Sequence, residues 1–203
     1  MSTSVAPLLV STTNTHKVRE IRAILGSGFE LSDLSALPLM REVEETGETF
    51  EENAALKALA ASELFEGWVI ADDSGLEVDA LGGAPGVYSA RYAGKGASDA
   101  DNNALLLKNL EEVHDTDRRA RFRCVIVLAR MGRKFALFEG IVEGAVARHP
   151  RGAGGFGYDP LFIPAGFSET FGQLAAEIKN RLSHRAQALD KLRRWDGWSA
   201  AED

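Results

Sequence analysis

The chain has 203 residues, 45% of them hydrophobic and 26% charged, enough to bury a real core in one domain. Its formal net charge is -7, from 23 Lys and Arg against 30 Asp and Glu, which argues against a protein that wraps nucleic-acid backbone. One cysteine, Cys124, excludes an intramolecular disulfide and reads as a buried small hydrophobe. No apolar run approaches the roughly 20 residues of a bilayer span, and the first residues show no secretory signal, so a soluble cytoplasmic protein with no membrane or nucleic-acid partner is expected.

Residues 8–11 are a short apolar run and read as a buried strand. A polar turn follows, then Val18, Ile21, Ile24 and Leu25 recur at helical spacing up to Gly26. Residues 29–40 read as a short strand and loop. Thr49 and Glu52 form the Thr-x-x-Glu pattern of a capping box, which opens a helix to about Phe65. Leu56, Leu59, Ala60 and Leu64 give that helix an apolar stripe, and Gly67 ends it. Trp68 to Ala71 read as a strand that ends in Asp72-Asp73-Ser74-Gly75. Residues 98–113 read as helix, and 121–128 and 135–147 as a hairpin turning at Met131–Lys134. A glycine-rich loop, a short strand at 161–163 and helices at 173–182 and 184–194 complete the chain, with 196–203 expected to fray. This order predicts an α/β protein with a mixed sheet flanked by helices.

Five stretches carry residues suited to chemistry. In 152–159, Gly-Ala-Gly-Gly-Phe-Gly-Tyr-Asp, the glycines rule out ordinary helix or strand. Two rings, open peptide groups and a carboxylate there suit a flat polar ligand such as a nucleobase; a loop that only closes a sheet is the alternative. Thr12-Thr13-Asn14-Thr15-His16-Lys17 sits where a helix begins, a place favourable to an anion, although simple N-capping explains part of it. Asp72-Asp73-Ser74-Gly75 offers carboxylates to a hard cation such as Mg²⁺, or is only a turn. In strand geometry the two aspartates face opposite ways and do different jobs. Of the acidic segment 42–52, Glu45 is the best placed to reach a metal. Lys179 with Ser183-His184-Arg185 is a basic group that meets a phosphate or a base carbonyl, or else complements a helix dipole.

Together these parts are what metal-dependent cleavage of a nucleoside triphosphate needs. The chain resembles the inosine triphosphate pyrophosphatase family, whose members hydrolyse nonstandard purine nucleoside triphosphates. The resemblance runs from about Leu8 to Leu192. It rests on Ser11-Thr12-Thr13-Asn14 with Lys17, Glu44-Glu45-Thr46-Gly47 with Thr49-Phe50 and Glu52-Asn53-Ala54, and Ala71-Asp72-Asp73-Ser74-Gly75-Leu76. It rests equally on residues 81–91, on Gly155-Phe156-Gly157-Tyr158-Asp159-Pro160, and on Lys179 with Ser183-His184-Arg185.

The resemblance implies a homodimer with an elongated mixed sheet, two lobes and a central substrate cleft. It implies that Ser11 and Thr12 to Lys17 hold the triphosphate, and that Asp73 is the catalytic carboxylate and a Mg²⁺ ligand. Glu45 would be a second acid at the metal, and Asp72 and Lys57 would support metal and phosphates. Ser74 would touch substrate. Phe156, Gly157, Tyr158 and Asp159 would bracket the base, and Lys179, His184 and Arg185 would read it. The phosphate loop departs from the family pattern at Thr13, which takes a glycine-like place, and at His16, where a small residue is common. Two other readings compete: a pyrophosphatase for modified pyrimidine or other nucleotides, and a nucleotide sensor without catalysis.

Overall fold

The computed structural model describes residues 7–198. Six strands form one sheet in the order β2-β1-β3-β4-β5-β6. They are β1 (Pro7–Val10), β2 (Glu30–Asp33), β3 (Trp68–Val78), β4 (Arg119–Arg130), β5 (Arg133–Val146) and β6 (Phe162–Pro164). The helices are α1 (Thr15–Leu25), α2 (Phe50–Ser62), α3 (Asp99–Asn109), α4 (Ala176–Leu182) and α5 (His184–Arg193). β1 pairs in parallel with β2 and β3, whereas β5 and β6 are antiparallel. The sheet is therefore mixed and the class is α/β, as expected.

The helix starts follow from local chemistry. Asn14 caps α1 by accepting from the His16 and Lys17 amides at 2.9 and 3.2 Å. Thr49 and Glu52 close the expected capping box on α2, and Ser98 and Asp101 close a second one on α3. β4 and β5 are joined by Met131 and Gly132, both at positive φ (51° and 70°), as a two-residue type I′ turn requires.

Three expectations need correction. β3 does not stop at Ala71 but runs through Asp72-Asp73-Ser74-Gly75 to Val78. It lies between β1 and β4, and pairing overrides the weak strand preference of Asp and Gly. The apolar stripe on α2 is also different. Leu56 and Leu64 are exposed, and the buried face is Phe50 in the first turn followed by Ala54, Ala58 and Ala61 with Asn53 and Ser62. Small side chains let this helix lie close to its neighbours, and it ends at Ser62, before Phe65. Finally, 196–203 does not fray from its start. Asp196–Trp198 is a 3₁₀ turn, and Trp198 packs on Trp68, Trp195 and Phe29 with centroids 5.2–5.5 Å apart. Residues 199–203 and 1–6 lie outside the described part.

The chain divides into two compact units. The first takes the chain as far as Asp72, then Val125–Gly140, then Arg185 onward; the second takes Asp73–Cys124 and Ile141–His184. In the first, Leu9, Ala61 and Val69 pack with Leu34, Leu37, Met40 and Phe65. In the second, Leu76, Leu106, Leu110, Phe122, Tyr158, Phe162 and Phe171 belong to one apolar cluster.

Candidate functional site

The first unit gathers cations at the start of α1. Lys17 pairs with Asp72 Oδ1. Arg185, from α5, donates Nε and Nη2 to Asp72 Oδ2, both at 2.9 Å, and Nη1 to Glu20 at 2.5 Å. The Asp72 and Arg185 side chains are each 1% exposed. Burial by itself would push the Asp72 carboxyl up. The Arg185 charge, then the charge and hydrogen bond of Lys17, then Lys57, outweigh it and hold the group well below the usual carboxylate range.

Lys57, on α2, donates to Glu45 Oε1 at 2.7 Å and to the Asp72 carbonyl at 2.9 Å. Ser11 Oγ donates to the Lys57 carbonyl at 3.0 Å, so the end of β1 holds the same turn of α2. Buried Asn53 accepts the Gly47 amide at 2.8 Å, and Glu52 accepts those of Glu48 and Thr49. These bonds fold residues 45–49 over the start of α2 and bring Glu45 to Lys57.

Several residues assigned to phosphate are found in more specific work. Asn14 takes up two of the amides that the helix start would offer an anion. Thr12 Oγ1 accepts the Asn14 amide at 3.2 Å. Lys17 is held in its ion pair and is not a loose charge. Thr13, Thr15 and His16 are exposed, so the two departures from the family pattern are accommodated without crowding.

The second unit begins at Asp73, which is 6% exposed and, by strand alternation, faces away from Asp72. Ser74 is half-buried. Gly75 has a packing reason: a Cβ there would meet Gly86 O and Ser89 Oγ, each at 2.4 Å. Ser89 Oγ accepts the Leu76 amide at 2.9 Å and donates to Gly86 O at 2.6 Å.

The glycine loop is held from inside by Asp159. Its Oδ2 accepts the Phe156 amide at 2.8 Å and pairs with buried Lys179. The Lys179 ammonium also lies 4.8 Å from the Phe156 ring centroid and 5.7 Å from that of Phe171. Tyr158 is different. It belongs to the apolar core, and its hydroxyl donates to Ser89 O at 2.8 Å. Burial pushes its hydroxyl pKa up, with smaller contributions from Tyr92 and Asp99. The half-buried ring of this loop is therefore Phe156, while Tyr158 is buried. His184 stacks on Phe122, with centroids 4.8 Å apart and planes 13° from parallel.

Gly155 sits at φ +75°, and a Cβ there would lie 1.9 Å from Asp159 Oδ2. Gly155→Ala is expected to displace the carboxylate that orders the loop and to cost about 1–3 kcal/mol. A thermal melt checks it: the midpoint should fall by several degrees, and an unchanged midpoint would show that the loop has another way to close.

Lys17, Lys57, Asp72, Glu45, Ser11 and Arg185 are thus brought together within the first unit, and Phe156, Asp159 and Lys179 within the second. Arg185, expected to read the base, pairs with Asp72 and Glu20. Three contributors escaped the sequence reading: Glu20, Asp99 and Asn103. Glu20 stands one turn beyond Lys17 on α1, a spacing that marks a shared face. Asp99 and Asn103 share a face of α3 in the same way.

These features define an α/β protein with a cation-rich helix start and an aromatic glycine loop. The chain belongs to the Ham1 family, whose model matches residues 8–195. A protein of Geobacter sulfurreducens named dITP/XTP pyrophosphatase is 50% identical over 196 residues, covering 96% of this chain and 98% of its own. A Bacillus licheniformis protein of the same name is 48% identical over 186 residues, covering 91% and 95%. The structure of the Staphylococcus aureus Ham1 protein superposes with a TM-score of 0.82 at 43% identity, covering 92% of this chain and 96% of that one. Among the described residues no helix is long and apolar enough to cross a membrane.

Proposed function

We propose that the chain hydrolyses nonstandard purine nucleoside triphosphates (ITP, dITP, XTP) to the nucleoside monophosphate and pyrophosphate, in the cytoplasm, and so keeps deaminated purines out of DNA and RNA. The observation that carries this reading is the near-full-length likeness to proteins named dITP/XTP pyrophosphatase, at 48–50% identity. Water attacks the α-phosphorus and pyrophosphate leaves. Lys17 and the start of α1 take the phosphate charge, with Lys17 exchanging Asp72 for the ligand. Arg185, itself paired with Glu20, holds Asp72 as this happens. Asp73 is the catalytic carboxylate, and Ser74 contacts substrate beside it.

A divalent ion, Mg²⁺, completes the reading. Among the described residues no group of three or more His, Cys, Asp or Glu could hold a metal. Mg²⁺ is commonly held by one or two carboxylates together with substrate phosphates. Asp73 and Glu45 are those carboxylates, with Lys57 setting the position of Glu45. When bound, the ion neutralises phosphate charge and orients the attack.

The base lies on Phe156 and Gly157, framed by Asp159, and Lys179 and His184 supply donors. Hypoxanthine and xanthine present a 6-oxo acceptor where adenine presents a donor. A buried donor left unpaired by adenine costs about 1–3 kcal/mol, which favours the deaminated bases. The active form is a homodimer.

The test is a nucleotide panel with Mg²⁺ and both phosphate products assayed. Pyrophosphate with inosine monophosphate, fast for ITP, dITP and XTP, slow for ATP and abolished by EDTA, is the expected result. Orthophosphate with inosine diphosphate would refute the bond assigned. Preference for modified pyrimidines, or binding without turnover, would select one of the two competing readings.

A further inference from the structure

We propose that Asp99 and Asn103, on α3, are positioning residues that fix the Phe156 shelf and thereby set affinity for the base. The proposal rests on the reading above, in which residues 156–159 meet the base. Asp99 Oδ2 accepts the Gly157 amide at 2.6 Å, and Asn103 Nδ2 donates to the Gly157 carbonyl at 3.0 Å. The two side chains are one helical turn apart on the same face of α3. They grip the peptide groups on both sides of one glycine.

That glycine is the pivot of the shelf. Gly157 has φ +60°, and nothing lies within 4 Å of a Cβ built there, so glycine is present for its backbone conformation and not for space. Phe156 precedes it, and its own amide is held by Asp159. Two successive amides are thus tied to two carboxylates, one inside the loop and one on α3. Hydrogen bonds to an ionised acceptor are stronger than neutral ones, so the α3 tie is a firm one.

α3 is itself well anchored. Its Ser98–Asp101 capping box fixes the first turn, Asn102 Oδ1 accepts the Ala93 amide at 2.8 Å, and Leu106 and Leu110 are fully buried. A rigid helix therefore dictates where the Phe156 ring stands. In the reading above the phosphates are assigned to Lys17 and the start of α1, not to this loop. Loss of the clamp should weaken binding of a nucleoside triphosphate but not of inorganic pyrophosphate, which carries no base.

The experiment compares Asp99→Ala, Asp99→Asn and Asn103→Ala with the parent protein. Expected is a rise in KM for ITP of about tenfold for Asp99→Ala, which loses a charge-assisted hydrogen bond, and about fivefold for Asn103→Ala, which loses a neutral one, with a smaller change in kcat in both. The inhibition constant of pyrophosphate should stay unchanged, and Asp99→Asn, which keeps an acceptor oxygen, should recover most of the loss. Hydrogen exchange of the 156–157 amides, read without any substrate, should speed up in both alanine variants. Unchanged exchange there would overturn the clamp. So would a pyrophosphate constant that rises with KM, or an asparagine variant no better than alanine. Faster exchange in a protein that never hydrolyses ITP would uphold the clamp and refute the proposed function instead.

Discussion

Asp73→Asn is expected to lower turnover of ITP by about 10²- to 10⁴-fold, the usual contribution of a positioned carboxylate that moves a proton. Asparagine has nearly the shape of aspartate, so a side chain that is 6% exposed keeps its packing. What disappears is the negative charge. Both roles open to Asp73, accepting the proton of the attacking water and holding the metal, need that charge. Steady-state kinetics with a thermal melt as control separates chemistry from folding. Turnover close to the parent's in a well-folded variant would remove Asp73 from the chemistry.

The second large effect is on stability. Asp72→Ala leaves Arg185, 1% exposed, and Lys17, 14% exposed, without their shared counter-charge. Breaking a buried pair by removing one partner costs about 3–5 kcal/mol. For a chain of this length that lowers the melting midpoint by about 10 °C. The pH dependence follows from the direction of the shift. The folded Asp72 carboxyl titrates below its ordinary 3.8, so the folded state favours the ionised form. Its contribution is complete above pH ~4 and is lost as pH falls further toward the folded value. The gap between parent and variant should therefore be constant from neutral pH down to mild acid and shrink below that. A gap that grows in acid, or no gap at neutral pH, would contradict the role given to Asp72.

The local features of the fold were legible because their causes are local. Asn14 caps α1 and Thr49 with Glu52 caps α2 through side chains only a few residues from the amides they bind. The hairpin between β4 and β5 needs only Met131 and Gly132. What escaped was set by distant partners. Asp72 looked like part of a turn because aspartate and glycine are poor strand formers. It lies in a strand because β3 pairs between β1 and β4, and its charge is met by cations from α1 and α5, Arg185 standing 113 residues away. The ion pairs of Arg185 were hidden for the same reason, since nothing near it in sequence reveals Glu20 or Asp72. In α2, leucines drew attention while alanines make the contact, because close helix packing selects small size over hydrophobicity. Tyr158 shares a stretch with Phe156 and looked equivalent, but its hydroxyl finds Ser89 O, 69 residues away, and its ring goes into the core. Asp99 is an ordinary first-turn acid by sequence, and only the path of the glycine loop gives it a second duty.

Water is expected to attack the α-phosphorus of a purine nucleoside triphosphate. Hydrolysis of ITP in ¹⁸O-enriched water, followed by mass spectrometry of both products, tests it most directly. The heavy oxygen should appear in inosine monophosphate and be absent from pyrophosphate. Label in pyrophosphate or in orthophosphate would place the attack on another phosphorus and contradict the account.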